Sequence, residues 1–111
     1  MLEVNRRNLR IFSMQMLYSM DLRNISLDEA IEFVNPDNYD EKAKIFLNNI
    51  VSKIDIIDEM ISKNLKDYTL ERLNLVDKEI IRIATYEILE GENDIKIIVN
   101  EALEITKMFS D

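Results

Sequence analysis

The clearest indication of the fold is in residues 78–89, which read Lys-Glu-Ile-Ile-Arg-Ile-Ala-Thr-Tyr-Glu-Ile-Leu. Apolar side chains recur there at steps of three and four residues, which is the spacing of one face of an α-helix. The positions predicted to face the core are Ile80, Ile83, Ala84 and Ile88. Asp77 or a neighbour is the expected N-cap, and Gly91 stands where a helix ends, so both boundaries are marked in the sequence.

The segments on either side carry the same periodicity. The predicted helices cover about 5–22, 26–34, 40–65, 70–75, 78–89 and 96–109. Ser26 and Glu29 have the spacing of a capping box, whereas Pro36 cannot continue a helix and separates the second segment from the third. The apolar stripes predicted for the core are Leu9, Phe12, Ser13, Met16 and Met20 in the first helix, Phe46, Ile50, Ile54, Ile57, Ile61 and Leu65 in the long helix, and Val99, Ala102, Leu103, Thr106 and Phe109 in the last.

Composition agrees with an all-α fold. The chain has 111 residues, of which 47% are hydrophobic, with a single Gly and a single Pro, so little turn chemistry is present for strands and hairpins. This length suits one domain, residues 1–111. No apolar run approaches the roughly 20 residues that span a bilayer, and the N-terminus lacks a signal-peptide pattern, so we expect a cytoplasmic protein.

The residue types exclude most catalytic chemistry. The chain contains neither cysteine nor histidine, which removes thiolate zinc sites, Cys or His nucleophile systems and the commonest general base. A carboxylate metal site at Asp55, Asp58 and Glu59 is the one enzymatic alternative, but no phosphate-binding loop or second ligand cluster accompanies it. We expect no enzymatic activity, no cofactor and no metal.

Charge is distributed unevenly along the chain. The net charge is −8, yet four arginines oppose two carboxylates through Arg23, which leaves the first 23 residues at +2. A basic end on an acidic body can hold RNA locally, and the acidic body can instead attract a basic protein. The charge pattern leaves both functions open.

The first helix carries the candidate RNA-binding residues. Arg6, Arg7 and Arg10 lie at its N-terminal end, where cations oppose the helix dipole, so a bound phosphate is one reason for their presence. The alternative is a solvated basic turn that pairs with the protein's own carboxylates. Tyr18 could stack on an unpaired base or lie over a neighbouring helix, and Gln15 could read a base edge or serve only packing.

Three blocks of sequence resemble the NusB family of transcription antitermination factors. The first is Arg6-Arg7-Asn8-Leu9-Arg10 followed by Gln15-Met16-Leu17-Tyr18 and Asp21. The second is Leu70-Glu71-Arg72-Leu73 followed by 76–89, and the third is 98–107, which reads Ile-Val-Asn-Glu-Ala-Leu-Glu-Ile-Thr-Lys. The blocks occur in the family's order and cover most of the chain.

The resemblance implies a compact bundle of about six helices arranged as two small sub-bundles. It also implies binding of single-stranded boxA RNA in ribosomal RNA leader transcripts, together with the ribosomal protein NusE, other Nus factors and RNA polymerase. The region of Asp77, Glu79 and Arg82 corresponds to the family's partner-facing surface, although Asp77 could serve only as an N-cap and Arg82 could form a structural network with Tyr86 and Glu87.

One departure from the family pattern concerns the end of the chain. The family continues beyond the Asn-Glu-Ala helix into a further helix, whereas this sequence stops at Asp111. We expect the surface that this helix would cover to be apolar, and a homodimer is one way to bury it. A protein-interaction module that has lost RNA binding is the alternative function.

Overall fold

A computed structural model of the chain describes residues 5–34 and 40–110. The elements are α1 (Arg6–Arg23), α2 (Leu27–Val34), α3 (Glu41–Ser52), α4 (Ile54–Asn64), a 3-10 turn (Leu70–Arg72), α5 (Leu75–Glu90) and α6 (Ile95–Phe109). Within these two ranges no strand occurs, and the all-α prediction is confirmed. The break predicted at Asn35-Pro36-Asp37 lies outside the described residues.

Local sequence signals explain most helix boundaries. The side chain of Asn5 accepts a hydrogen bond from the backbone N–H of Asn8, at 2.8 Å, and so caps α1. Ser26 and Glu29 form the predicted capping box, with both hydrogen bonds at 3.2 Å. Gly91 ends α5 with φ at +71°, in the left-handed region that glycine adopts without strain.

Asp77 is not the N-cap of α5, so of the two possibilities predicted, Asp77 or a neighbour, the first is wrong. Asn74, not Asp77, caps this helix, since its side chain accepts a hydrogen bond from the backbone N–H of Val76 at 2.9 Å. The helix therefore begins at Leu75, and Asp77 falls within its first turn. Both residues are good caps in isolation, so residue type alone does not choose between them.

The long helix predicted from Asp40 to Leu65 is interrupted. Lys53 leaves the helical conformation, with φ at −110° and ψ at 12°, and separates α3 from α4. The change of direction allows Ile50, before the break, and Ile57, after it, both to be fully buried. Tertiary packing therefore overrides a continuous helical pattern here.

Helix α5 occupies the centre of the fold. It packs against α1, α4 and α6, while α1 also contacts α2 and α3. The side chains of Met16, Leu47, Ile50 and Ile57 are among those that are fully buried. These helices share one hydrophobic core, and this core fixes the faces that α1 and α5 present to solvent.

The core stripe predicted for the last helix is wrong at Val99, Leu103 and Phe109, whereas Ala102 and Thr106 are half-buried. Ile98 and Ile105 are buried against α5, with Ala102 half-buried between them, whereas Val99 and Leu103 are 45% and 55% exposed. Two neighbouring stripes of α6 are apolar, so periodicity alone does not select the docked one. Ile88 of α5 was also predicted to be buried and is 40% exposed. Within the described ranges, no helix has the length and apolar character needed to cross a membrane.

Candidate nucleic-acid interface

Arg10 is not available to bind an anion, and the prediction that it is free is wrong. Its guanidinium donates two hydrogen bonds to Glu87, Nε to Oε2 at 2.7 Å and Nη2 to Oε1 at 2.8 Å. Only 4% of Arg10 is exposed. The residue therefore fastens α1 to α5 in a buried bidentate ion pair, which sequence periodicity does not reveal because the partner lies 77 positions away.

Arg7 is also paired, but at the surface. It donates to both carboxylate oxygens of Glu101 on α6, at 3.1 and 2.6 Å. The hydrogen bond to Glu101 raises the pKa of Arg7 and lowers the pKa of Glu101. Because Arg7 is exposed, this pair contributes little to stability, and a phosphate can compete for the same guanidinium face.

Of the three candidate arginines, Arg6 is the one whose side chain is unpaired among the described residues. It is exposed and has no ion pair with any described residue. It borders a groove of about 420 Å³ between α1, α3 and the end of α5, which Lys42 also lines. The three arginines thus point to three different environments and do not form the single free cluster predicted from the helical pattern.

Gln15 and Tyr18 lie together in a second groove. This groove has a volume of about 350 Å³ and runs between α1 and the end of α6, where Phe109 forms part of its wall. Gln15 is exposed and Tyr18 is half-buried, so an amide and an aromatic ring face the same opening. A groove with ring faces and an amide suits an unpaired base. The apolar spacing of the last helix predicts that Phe109 lies in the core, and so does not identify it as a groove residue.

Arg82 is at the centre of a buried network that joins three helices. Its guanidinium donates to both oxygens of Asp58 on α4, at 2.8 and 2.7 Å, and to Asp21 on α1 at 2.7 Å. A further hydrogen bond, at 2.9 Å, reaches Glu79 one turn earlier in α5. These bonds raise the pKa of Arg82, although burial opposes the rise.

The prediction that Glu79 and Arg82 contact a partner directly is wrong in this conformation. Glu79 is fully buried and Arg82 is 6% exposed. The expected network of Arg82 with Tyr86 and Glu87 also does not form. Instead, Tyr86 packs edge-on against Phe46 with ring centres 5.4 Å apart, and Glu87 pairs with Arg10.

The pKa of Glu79 is raised well above its ordinary value. Burial and the hydrogen bond shared with Asp21 raise its pKa to about 8. Burial acts in the same direction on Asp21, but the bond from Glu79 and the charge of Arg82 outweigh it and lower the pKa of Asp21. The Oε1 atom of Glu79 accepts the hydrogen bond from Arg82, and its Oε2 atom is buried without a hydrogen-bond partner in the described part of the chain.

Asp77 remains a candidate for partner contact. It does not cap α5, and its Oδ1 atom is buried without a hydrogen-bond partner in the described part of the chain. The side chain as a whole is half-buried at the start of α5.

The carboxylates considered for a metal site do not converge. Both oxygens of Asp58 accept hydrogen bonds from Arg82, and Glu59 pairs with Lys63 at 3.1 Å. Among residues 5–34 and 40–110, no group of acidic residues could hold a metal ion. The metal site considered at Asp55, Asp58 and Glu59 is therefore not formed in the described residues.

The fold and these grooves define a helical binding domain, in which α5 is the central support and α1 presents the polar surface. The NusB family model matches residues 7–111, and the chain belongs to the NusB family. The transcription antitermination protein NusB of Staphylococcus aureus (strain MRSA252) is 39% identical over 114 aligned positions, which cover 97% of this chain and 88% of that protein.

Solved structures agree with this assignment. T. maritima NusB matches 99% of this chain and 82% of its own chain, with a TM-score of 0.86 and 29% identity. A chain from a crystal structure of the antitermination factors NusB and NusE in complex with double-stranded RNA matches 96% of this chain and 83% of its own, with a TM-score of 0.77 and 26% identity.

Proposed function

We propose that this protein is a transcription antitermination factor that binds boxA-type single-stranded RNA of ribosomal RNA leaders together with NusE. The observation that carries the proposal is the match of nearly the whole chain to a structure containing NusB, NusE and double-stranded RNA, and the single-stranded specificity is the part that the titration below tests. The protein acts in the cytoplasm by binding and not by catalysis, and helps to assemble other Nus factors on RNA polymerase. No cofactor is required.

The RNA-binding surface that we propose differs from a cluster of three free arginines. Tyr18 stacks on a base and Gln15 reads a base edge in the groove beside Phe109. Arg7 exchanges its carboxylate partner for a phosphate, and Arg6 supplies an unpaired cation at the same end of α1. Arg10 contributes by fixing the position of α1 on α5.

The partner surface lies near the start of α5. We propose that Asp77 contacts NusE, whereas Glu79 and Arg82 act indirectly by holding α5 against α1 and α4. The net charge of −8 favours association with a basic ribosomal protein and increases the association rate.

Titration of boxA RNA at several salt concentrations, with and without NusE, tests the proposal. Phosphate contacts by Arg6 and Arg7 alone predict a log–log salt slope of about −1.4 for a single strand. An RNA duplex of the same sequence serves as the comparison, since a base stacked in the Tyr18 groove must be unpaired. Equal affinity for duplex and single strand would contradict this mode of binding.

Two substitutions examine the RNA surface directly. Tyr18→Ala should weaken RNA binding by about 5- to 150-fold through loss of stacking, whereas Tyr68→Ala, a tyrosine in an exposed loop, should have no effect. Glu101→Gln should strengthen binding because it releases Arg7, and Glu104→Gln on the same helix is its control. Unchanged affinity in Glu101→Gln would remove Arg7 from the proposed surface.

The alternative is a helical protein-interaction module without RNA affinity. The pairing of Arg7 and Arg10 with carboxylates favours it, since both cations are already neutralised. This alternative predicts NusE binding with no measurable binding of any RNA, and the same titration separates the two functions. Self-association through the apolar face of α6 stays a prediction, and light scattering that shows a monomer at high concentration would contradict it.

A further inference from the structure

The groove bordered by Arg6 lies away from the Gln15–Tyr18 groove and has its own binding features. Its walls come from the first turns of α1 and α3 and from the end of α5 and the residues that follow it. Arg6 and Lys42 are both exposed, and neither has an ion pair with a described residue. Most other cations of the described chain are paired, so two unpaired ones on one groove are an unusual concentration of free positive charge.

The glutamates that line the same groove are largely neutralised. Glu87 is paired with Arg10, and Glu90 is paired with Lys53. Glu92 is the wall carboxylate that has no ion pair among described residues. Two lining cations, Arg6 and Lys42, and one lining carboxylate, Glu92, have no ion pair with a described residue, so the unpaired charge of this groove is positive in a chain whose net charge is −8.

The remaining wall suits a base as well as a phosphate. Ile45 is 59% exposed, and with Phe46 it gives the groove an apolar floor. The amide groups of Asn49 and Asn93 also line the groove and provide donors and acceptors, and the Nδ2 atom of Asn93 already donates one hydrogen bond to Glu87 at 3.3 Å. A volume of about 420 Å³ lies within the range of small-ligand sites.

We propose that this groove, which we call the α1–α3 groove, binds one nucleotide of a single-stranded RNA. Arg6 and Lys42 hold its phosphate, and the base lies on Ile45 and Phe46. The inference rests on the proposed RNA-binding function and adds a second contact region on the other flank of α1. The RNA strand therefore spans the N-terminal end of α1, from the Tyr18 groove to the α1–α3 groove.

Lys42→Ala tests the proposal, with Lys66→Ala as the matched control. Lys66 is also an exposed lysine without an ion pair in the described chain, but it lies in the connection between α4 and α5. Lys42→Ala should weaken RNA binding by about tenfold and make the salt slope less steep by about 0.7. Lys66→Ala should leave both quantities unchanged, and equal effects of the two substitutions would overturn the inference.

Glu92→Gln tests the same groove through an expected gain, instead of a loss, of RNA affinity. Removal of its unpaired carboxylate should strengthen RNA binding, whereas Glu71→Gln, an exposed carboxylate in the 3-10 turn, should not. A substitution that only damaged the fold would not increase affinity. Equal gains in both variants would show an effect of overall charge and would overturn the α1–α3 groove as a site.

Shortening the RNA one nucleotide at a time from each end locates the contact. Once the nucleotide in the groove is removed, the wild-type protein and Lys42→Ala should bind the shortened RNA equally. A constant difference at every length, down to the shortest RNA that binds, would overturn the assignment. Failure of the wild-type protein to bind any RNA is a separate outcome, which refutes the proposed function itself and with it this inference.

Discussion

Replacement of Arg10 by alanine should reveal a structural role in a residue that the sequence pattern assigned to RNA. The substitution leaves the Glu87 carboxylate, which is only 4% exposed, without its guanidinium partner. Removal of one member of a buried ion pair costs about 3–5 kcal/mol, because the remaining charge stays desolvated. Arg6→Ala, an exposed residue on the same turn of α1, should change stability by less than about 0.5 kcal/mol.

Urea unfolding followed by circular dichroism measures this difference. Arg10→Ala should lower the midpoint without changing the dependence on urea, and should lower the melting temperature by roughly 12–20 °C. The double substitution Arg10→Met with Glu87→Met removes both charges and should recover much of the lost stability, because apolar replacement of a buried pair is often neutral.

Two results would contradict a structural role for the Arg10–Glu87 ion pair. If Arg10→Ala unfolds within about 1 kcal/mol of the wild-type protein, the pair is not a buried structural contact. If the double substitution is no more stable than Arg10→Ala, the loss does not come from an unpaired Glu87. RNA affinity of Arg10→Ala must be measured where the variant is folded, since otherwise loss of structure imitates loss of a contact.

Three further predictions concern stability. The pKa of Glu79 is about 8 in the folded state, against 4.5 for the ordinary carboxyl group, so the folded state binds the proton more tightly. The free energy of unfolding should therefore fall as pH rises from about 4.5 to 8, by at most about 1.4 kcal/mol per pH unit. Glu79→Gln should abolish this pH dependence in urea unfolding, and an unchanged dependence would show that other groups cause it. Gly91→Ala should cost about 1 kcal/mol through its positive φ alone, since an added Cβ meets no atom within 4 Å, and a larger loss would indicate a clash. Ser26→Ala should cost about 1 kcal/mol by removing the capping box, which equal unfolding midpoints would disprove.

Most helices of this protein, and many of their ends, can be predicted from the amino-acid sequence alone; the break at Lys53 and the start of α5 cannot. Apolar spacing identifies α5, and the residues that mark its end and the start of α2 are local signals, because Gly91 and the Ser26–Glu29 box act within one turn. The family was also recognisable, because three ordered blocks do not depend on side-chain placement. These features involve interactions between neighbours in the chain, which is why a pattern can predict them.

Which polar residues are free depends on how the helices pack against each other. Arg10 and Arg7 sit in the same basic turn, yet Glu87 and Glu101, far away in the chain, remove one from solvent and pair the other at the surface. The sequence also does not predict which face of α6 packs against α5. Ile98 and Val99 are equally apolar, and only the position of α5 makes the first buried and the second exposed. Long-range pairing and burial depend on how helices meet, and helical periodicity carries no information on that geometry.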